Sequence, residues 1–245
     1  MLARAMRCAT ITVARGRAWG LPALLGSLLL GLSIQASASA ATPDASSPPA
    51  FGTFEFGCGP YRYVDLPKLD YRLKDVTPEG KKGVWDLDHY HTDPAREEMS
   101  KAQPHPLTVI GNLDFALRHS PNHHEALSLL IAYKRRGGNL LKFATVDCYL
   151  EWAHRFAPDD SIVLGYGAMY FAKTGNRDRA EAWYKAAVEL DPKSAETHYN
   201  LGLLYFQTKR YELAREQARV AYSLGYPLPG LRDLLAKQGY ALGSQ

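Results

Sequence analysis

The feature that most constrains this chain is a pairing of alanine with proline that recurs between residues 116 and 192. Ala116 precedes Pro121, Ala153 precedes Pro158 and Ala187 precedes Pro192, each at the same five-residue interval. Around these pairs, apolar residues follow one another at three- and four-residue spacing through 106–119, 123–136, 142–156, 162–174, 178–190, 195–208, 211–223 and 231–238, the period of amphipathic helices. Helices of that length joined by short turns form antiparallel hairpins. With the prolines in register, repeat units start at His124, Ser161 and Ala195, separated by 37 and 34 residues. Self-similarity at such a period means a stack of like hairpins, each covering an apolar face that its neighbour leaves open.

Small residues recur where the two helices of a hairpin must touch. Ala168 and Gly202 on first helices face Ala180 and Ala214 on second helices, and side chains this small let the backbones approach near the short end of the usual interaxial range. Phe171, Tyr184 and Tyr205 fill the seams, and each proline ends a second helix because it lacks the amide hydrogen. Gly175-Asn176 turns the third unit, whereas Gly137-Gly138-Asn139 turns the second with three extra residues. The fourth unit has Leu201-Gly202, Tyr205, Ala214, Ala218 and Ala221, with Pro227 one place late. Over roughly 105–240 this pattern resembles the tetratricopeptide repeat (TPR) family. The resemblance implies an all-α TPR solenoid of three to four units. They would lie near 124–160, 161–194 and 195–228 within an array at 105–228, closed by a capping helix and tail at 229–245.

The front of the chain reads differently. Residues 1–40 carry Arg4, Arg7, Arg15 and Arg17 and no acid, then an apolar run from Leu21 to Ile34, then Ala38-Ser39-Ala40, the order of a cleaved signal peptide. The alternative, an uncleaved anchor, needs about 20 apolar residues, and Gly26, Ser27, Gly31 and Ser33 interrupt this run. Export to the periplasm, or secretion, is expected, with no membrane insertion of the mature chain. Beyond the leader twenty-five basic groups balance twenty-five acidic ones. That neutrality removes the electrostatic footprint of a nucleic-acid binder. Residues 41–50 are a Pro/Ser/Ala-rich linker, and 51–104 an irregular, aromatic-rich N-terminal cap with a short helix starting at Asp93-Pro94. Two cysteines remain after the leader, Cys58 and Cys148. In an oxidising compartment they point to one bridge closing a loop of about ninety residues, with two separately buried thiols as the alternative.

The leader together with CGPYRY, VDCYLEWAHRFAPDD and YPLPGLRD is also similar to small exported bacterial envelope TPR proteins. In the TPR family the first helix of each unit lines a concave groove. Transferred to this sequence, that lining includes Arg135, Arg136, Met169, Lys173, Tyr199, Leu203 and Phe206, with Asn200 at a place where some relatives grip a carboxylate. The resemblance thus implies an interaction module holding a protein or peptide of the bacterial envelope. The alternative is that the terminal helix or the cap covers these aromatics.

No nucleophile elbow or phosphate loop occurs, so no catalytic residue and no cofactor is expected. The sharpest chemical candidate is Asp86-Leu-Asp88-His89-Tyr-His91: on an extended segment His89 and His91 would share a face and could hold a metal beside Asp88. Two histidines without a third ligand make no site, so a metal-binding or metal-dependent protein stands only as the alternative. Asn122-His123-His124 stands where a repeat helix begins and is expected to cap it.

Overall fold

The computed structural model describes Cys58 and residues 68–242. The expected leader, the linker, most of the stretch up to 67 and the last three residues lie outside the described residues. Among those described there is no strand, and the helices run α1 Pro78–Leu87, α2 Asp93–Ser100, α3 Pro106–His119, α4 His124–Arg135, α5 Val146–Phe156, α6 Ser161–Thr174, α7 Arg177–Leu190, α8 Ala195–Gln207, α9 Tyr211–Ser223 and α10 Gly230–Lys237. They pack as adjacent pairs in a TPR-like α-solenoid.

The alanine–proline pairs explain the turns between units. Ser120, Ala157 and Asp191 leave α3, α5 and α7 with nearly one backbone geometry, φ/ψ of −131/87°, −132/77° and −134/82°. Each donates its amide to the carbonyl of the matching alanine, Ala116, Ala153 or Ala187. All three alanines are fully buried. The proline follows where the helix can no longer use an amide donor, and His123, Asp160 or Ser194 then caps α4, α6 or α8 with its side chain. Within the third unit, Gly175 closes α6 at φ 93°, a left-handed conformation that costs glycine little, and Asn176 caps α7.

Close packing follows the small residues. A methyl group at Gly167 would lie 2.3 Å from the Trp183 ring, and one at Gly202 would lie 2.6 Å from Leu231 and 3.4 Å from the Ala214 carbonyl oxygen. Trp183, Leu231 and Leu235 are buried in consequence, the two leucines fixing α10 over the last hairpin. Arg232, Asp233 and Lys237 of α10 face solvent.

Neighbouring units are also latched by tyrosines. Tyr170 of α6 donates to Asp147 of α5 at 3.1 Å, and Tyr205, one unit on, donates to Glu181 of α7 at 3.3 Å. Arg210 reinforces the second latch, reaching Glu181 at 2.6 Å and lying over the Tyr205 ring. Burial pushes both phenols up to about 12, helped by the adjoining carboxylate, so the hydroxyls remain donors at any physiological pH.

The N-terminal segment departs from the expected irregular cap. Thr77 caps α1 through Gly80, with Pro78 in the first turn. The helix then widens into a π turn at Asp88–Thr92 and resumes as α2, which packs on α3. α2 begins near the expected place, but Asp93 continues the preceding turn and does not cap it. Residues 78–100 thus supply the hairpin partner for α3. The π turn inserts extra residues into the helical phase, which hides the apolar period. A second departure is α5, which starts at Val146 and not at 142, because Thr145 caps it by accepting from the Cys148 amide. Cys58 and Cys148 are joined by a disulfide with their Cα atoms 5.5 Å apart.

Candidate functional site

The first helices of successive units lie side by side, α4 against α6 and α6 against α8. Between α6 and α8 their surface opens into a cavity of ≈ 100 Å³. Ile162, Gly165, Tyr166 and Met169 form one wall, Glu196, Thr197 and Asn200 the other, with Tyr184 and Asp191 between them. Asp160 starts α6 by accepting from the amides of Ile162 and Val163, and Ser194 starts α8 by accepting from Thr197, which sets both walls. Tyr184 is buried, and its phenol is raised by that burial and by the nearby Glu196 carboxylate, so it presents a neutral hydroxyl group.

Of the eight residues expected to line a groove, Met169 and Asn200 meet in this cavity. Leu203 and Phe206 continue the surface along α8, half-buried, with the Phe206 ring 5.4 Å from Tyr211. Lys173 is exposed at the end of α6 and Arg135 at the end of α4. Arg136 reaches the Met99 carbonyl oxygen at 3.4 Å and lines a different cavity. Tyr199 is placed differently from expectation. It is 8% exposed, stacked on Tyr226 at 4.1 Å and edge-on to Tyr222, so the segment after α9 covers it. Tyr166 is one of the wall residues, with Thr197, that the family's lining positions omit. It stands one turn beyond Ile162 on α6, and that four-residue spacing is the only sequence signal it carries.

The metal alternative fails on geometry. The segment is a helical turn and not a strand, so His89 and His91 diverge. The His89 ring stacks on Trp85 at 4.7 Å, whereas His91 stacks on Phe115 at 3.9 Å and meets Asn112 at 3.1 Å. Asp88 lies instead 3.2 Å from His123, within ion-pair reach but off the hydrogen-bond axis. Among the described residues no three His, Cys, Asp or Glu side chains converge on a metal position.

Asn122, His123 and His124 belong to a structural network. His123 caps α4, accepting from the Ala126 amide. Buried Asn122 donates to Asp70 at 2.8 Å and Asp160 at 2.9 Å and accepts from the Tyr71 amide. His124 donates to Asp160 at 2.9 Å, and Arg72 bridges Asp70 and Asp159. Burial alone would raise the Asp160 carboxyl, but donors from His124, Asn122 and the Val163 amide outweigh it and hold the group below the usual range. Asp70 is likewise raised by burial but drawn down to about 2, by hydrogen bonds from Arg72 and Asn122.

Stacked helical hairpins with a half-buried, mixed surface along their first helices define a repeat solenoid whose surface suits contact with another chain. Residues 168–209 match the TPR repeat family model and residues 195–224 the tetratricopeptide repeat model, so the hairpins over this part are similar to tetratricopeptide repeats. TPR proteins are generally non-enzymatic scaffolds, and the repeats support a protein–protein interaction module. No curated protein matches the chain.

Proposed function

We propose that this protein is an exported, non-enzymatic TPR module that holds a bacterial envelope protein or peptide along α4, α6 and α8. The supporting observation is the cavity between α6 and α8, where Met169 offers a soft apolar wall and Asn200 an amide that can pair with a peptide backbone. Leu203 and Phe206 extend the apolar surface, and Lys173 sets a cationic rim for acidic groups. The leader-like composition of residues 1–40 supports a periplasmic location. Affinity capture from envelope extract with wild type and Met169→Ala/Phe206→Ala tests the reading. Selective loss of a partner by the variant is expected, and equal recovery of every partner would refute the groove assignment. Export is tested by fusing residues 1–40 to a reporter active only outside the cytoplasm.

A further inference from the structure

The first and second helices of the later units are joined by tight turns, 175–176 and 208–210, but α4 and α5 are joined by the longer segment 136–145. This extension and the α2–α3 connection together form the walls of a cavity of ≈ 410 Å³, several times the volume of the one between α6 and α8. Its size falls within the range of pockets that hold a ligand group, roughly 300–1,000 Å³. Met99, Pro104 and Pro106 form apolar walls, and Tyr133, Arg136 and Gly138 complete it. The floor is close-packed. A methyl group at Gly138 would meet the Tyr133 ring at 2.5 Å, and Gly137 holds φ 82°. Insertions into a repeat array gather on one face, which is commonly the binding face.

The α4–α5 side of this cavity is basic: Arg136 lines it, and the other cations of that segment flank it in sequence. Lys134, Arg135, Arg136 and Lys142 fall within nine residues, and no acid occurs between Glu125 and Asp147. Among the described residues none of the four meets a carboxylate, whereas Lys101 across the cleft is already paired with Glu98 at 2.6 Å. A helix C-terminus accounts for cations at the end of α4 but not for Lys142 beyond it. Leu107 and Leu141, close in sequence to the lining residues Pro106 and Asn139, are 54% and 48% exposed, and Leu141 adopts φ 55°, unusual for a branched side chain.

We infer that the α2–α3/α4–α5 cleft is a docking site for an acidic peptide segment, one apolar side chain entering between Met99, Pro104 and Tyr133 while its carboxylates meet Arg135, Arg136 and Lys142. This deepens the module reading by naming the partner's chemistry, and it rests on that reading. A concave cleft with a close-packed floor suits an inserted side chain better than a flat lipid surface, so a peptide is the occupant.

The test is fluorescence anisotropy with a labelled peptide of alternating Glu and Ser around one central Leu, beside its Gln-for-Glu and its Ala-for-Leu counterparts. The acidic leucine peptide binds best, and added salt weakens it. Arg135→Glu/Arg136→Glu weakens it by about tenfold or more, the sum of several modest charge contacts. Ala102→Trp, which fills the cleft without changing charge, abolishes binding, and both variants keep the helical circular dichroism and cooperative unfolding of the wild type. Absence of saturable binding, or equal binding of the Gln-for-Glu peptide, overturns the inference. Loss of binding in Met169→Ala/Phe206→Ala but not in the cleft variants also overturns it while leaving the module reading intact. Retained cleft binding with no partner lost in the groove capture does the reverse. Sedimentation of the protein with phosphatidylglycerol vesicles, abolished by Arg135→Glu/Arg136→Glu and unaccompanied by peptide binding, would assign the patch to membranes and overturn it too.

Discussion

The side-chain amide of Asn122, in the turn before α4, donates to the carboxylate of Asp160, which caps α6, at 2.9 Å. Two successive inter-unit turns are thereby joined through a fully buried side chain, and the second amide hydrogen brings in Asp70 from the segment ahead of α1. One asparagine thus ties the front segment to the repeat array, beside the Leu69 amide bonded to the His119 carbonyl and the Arg72–Asp159 ion pair.

Replacing that side chain leaves two carboxylates short of a donor. Asn122→Ala is expected to cost about 3 kcal/mol, because buried hydrogen bonds to charged groups contribute about 1.5–3 kcal/mol each and the orphaned acceptors retain their desolvation cost. Urea denaturation of wild type and variant measures this, with Lys193→Ala in the exposed turn before α8 as a control that should change little.

The same network sets an acid limb. Asp70 and Asp160 have folded values below their unfolded ones, so each contributes stability that is present above the ordinary value of 3.8 and is lost as pH falls through the folded value, about 2 for Asp70. Stability should therefore be insensitive to these two groups from neutrality down to about pH 4 and fall below it. In Asn122→Ala the Asp70 carboxyl returns toward its ordinary value and the fall is shallower. Urea midpoints across the acid range read both slopes.

Two glycines on α6 predict opposite outcomes. Gly165→Ala meets nothing within 4 Å and should stabilise by up to about 1 kcal/mol through helix propensity. Gly167→Ala places its methyl against the Trp183 ring and should destabilise by about 1–3 kcal/mol despite the same propensity gain. Thermal midpoints of the two variants, measured side by side, check the sign of each.

Removing the Cys58–Cys148 bridge by Cys148→Ser should cost about 2–5 kcal/mol, since it frees a long closed loop in the unfolded chain. Wild type under reductant should approach the same urea midpoint, and the variant should be indifferent to reductant.

The array was legible in sequence because its signals are local. Ala116, Ala153 and Ala187 each sit one turn inside a helix end and the proline just outside it, so one pattern records one repeated geometry. The leading hairpin was not legible, since the π turn at Asp88–Thr92 shifts the helical phase between α1 and α2. Asn122 was legible only as part of a helix start. Its partners Asp70 and Asp160 lie 52 and 38 residues away, beyond any local pattern. At the candidate site, the family's lining positions pointed to Met169 and Asn200, but Tyr199 is covered by Tyr226, whose placement depends on how the chain turns at Gly225. The basic cleft showed in sequence as three extra residues beside a run of cations, but its other wall comes from the distant α2–α3 connection.

Photocrosslinking inside the producing cell measures most directly whether the first-helix surface grips a partner. A benzophenone side chain placed at Asn200, or in a second strain at Lys173, should give an adduct with one and the same envelope protein. The identical probe at Glu189, exposed on α7, should not. Adducts from Glu189 with none from Asn200 and Lys173 would contradict a grip along α6 and α8.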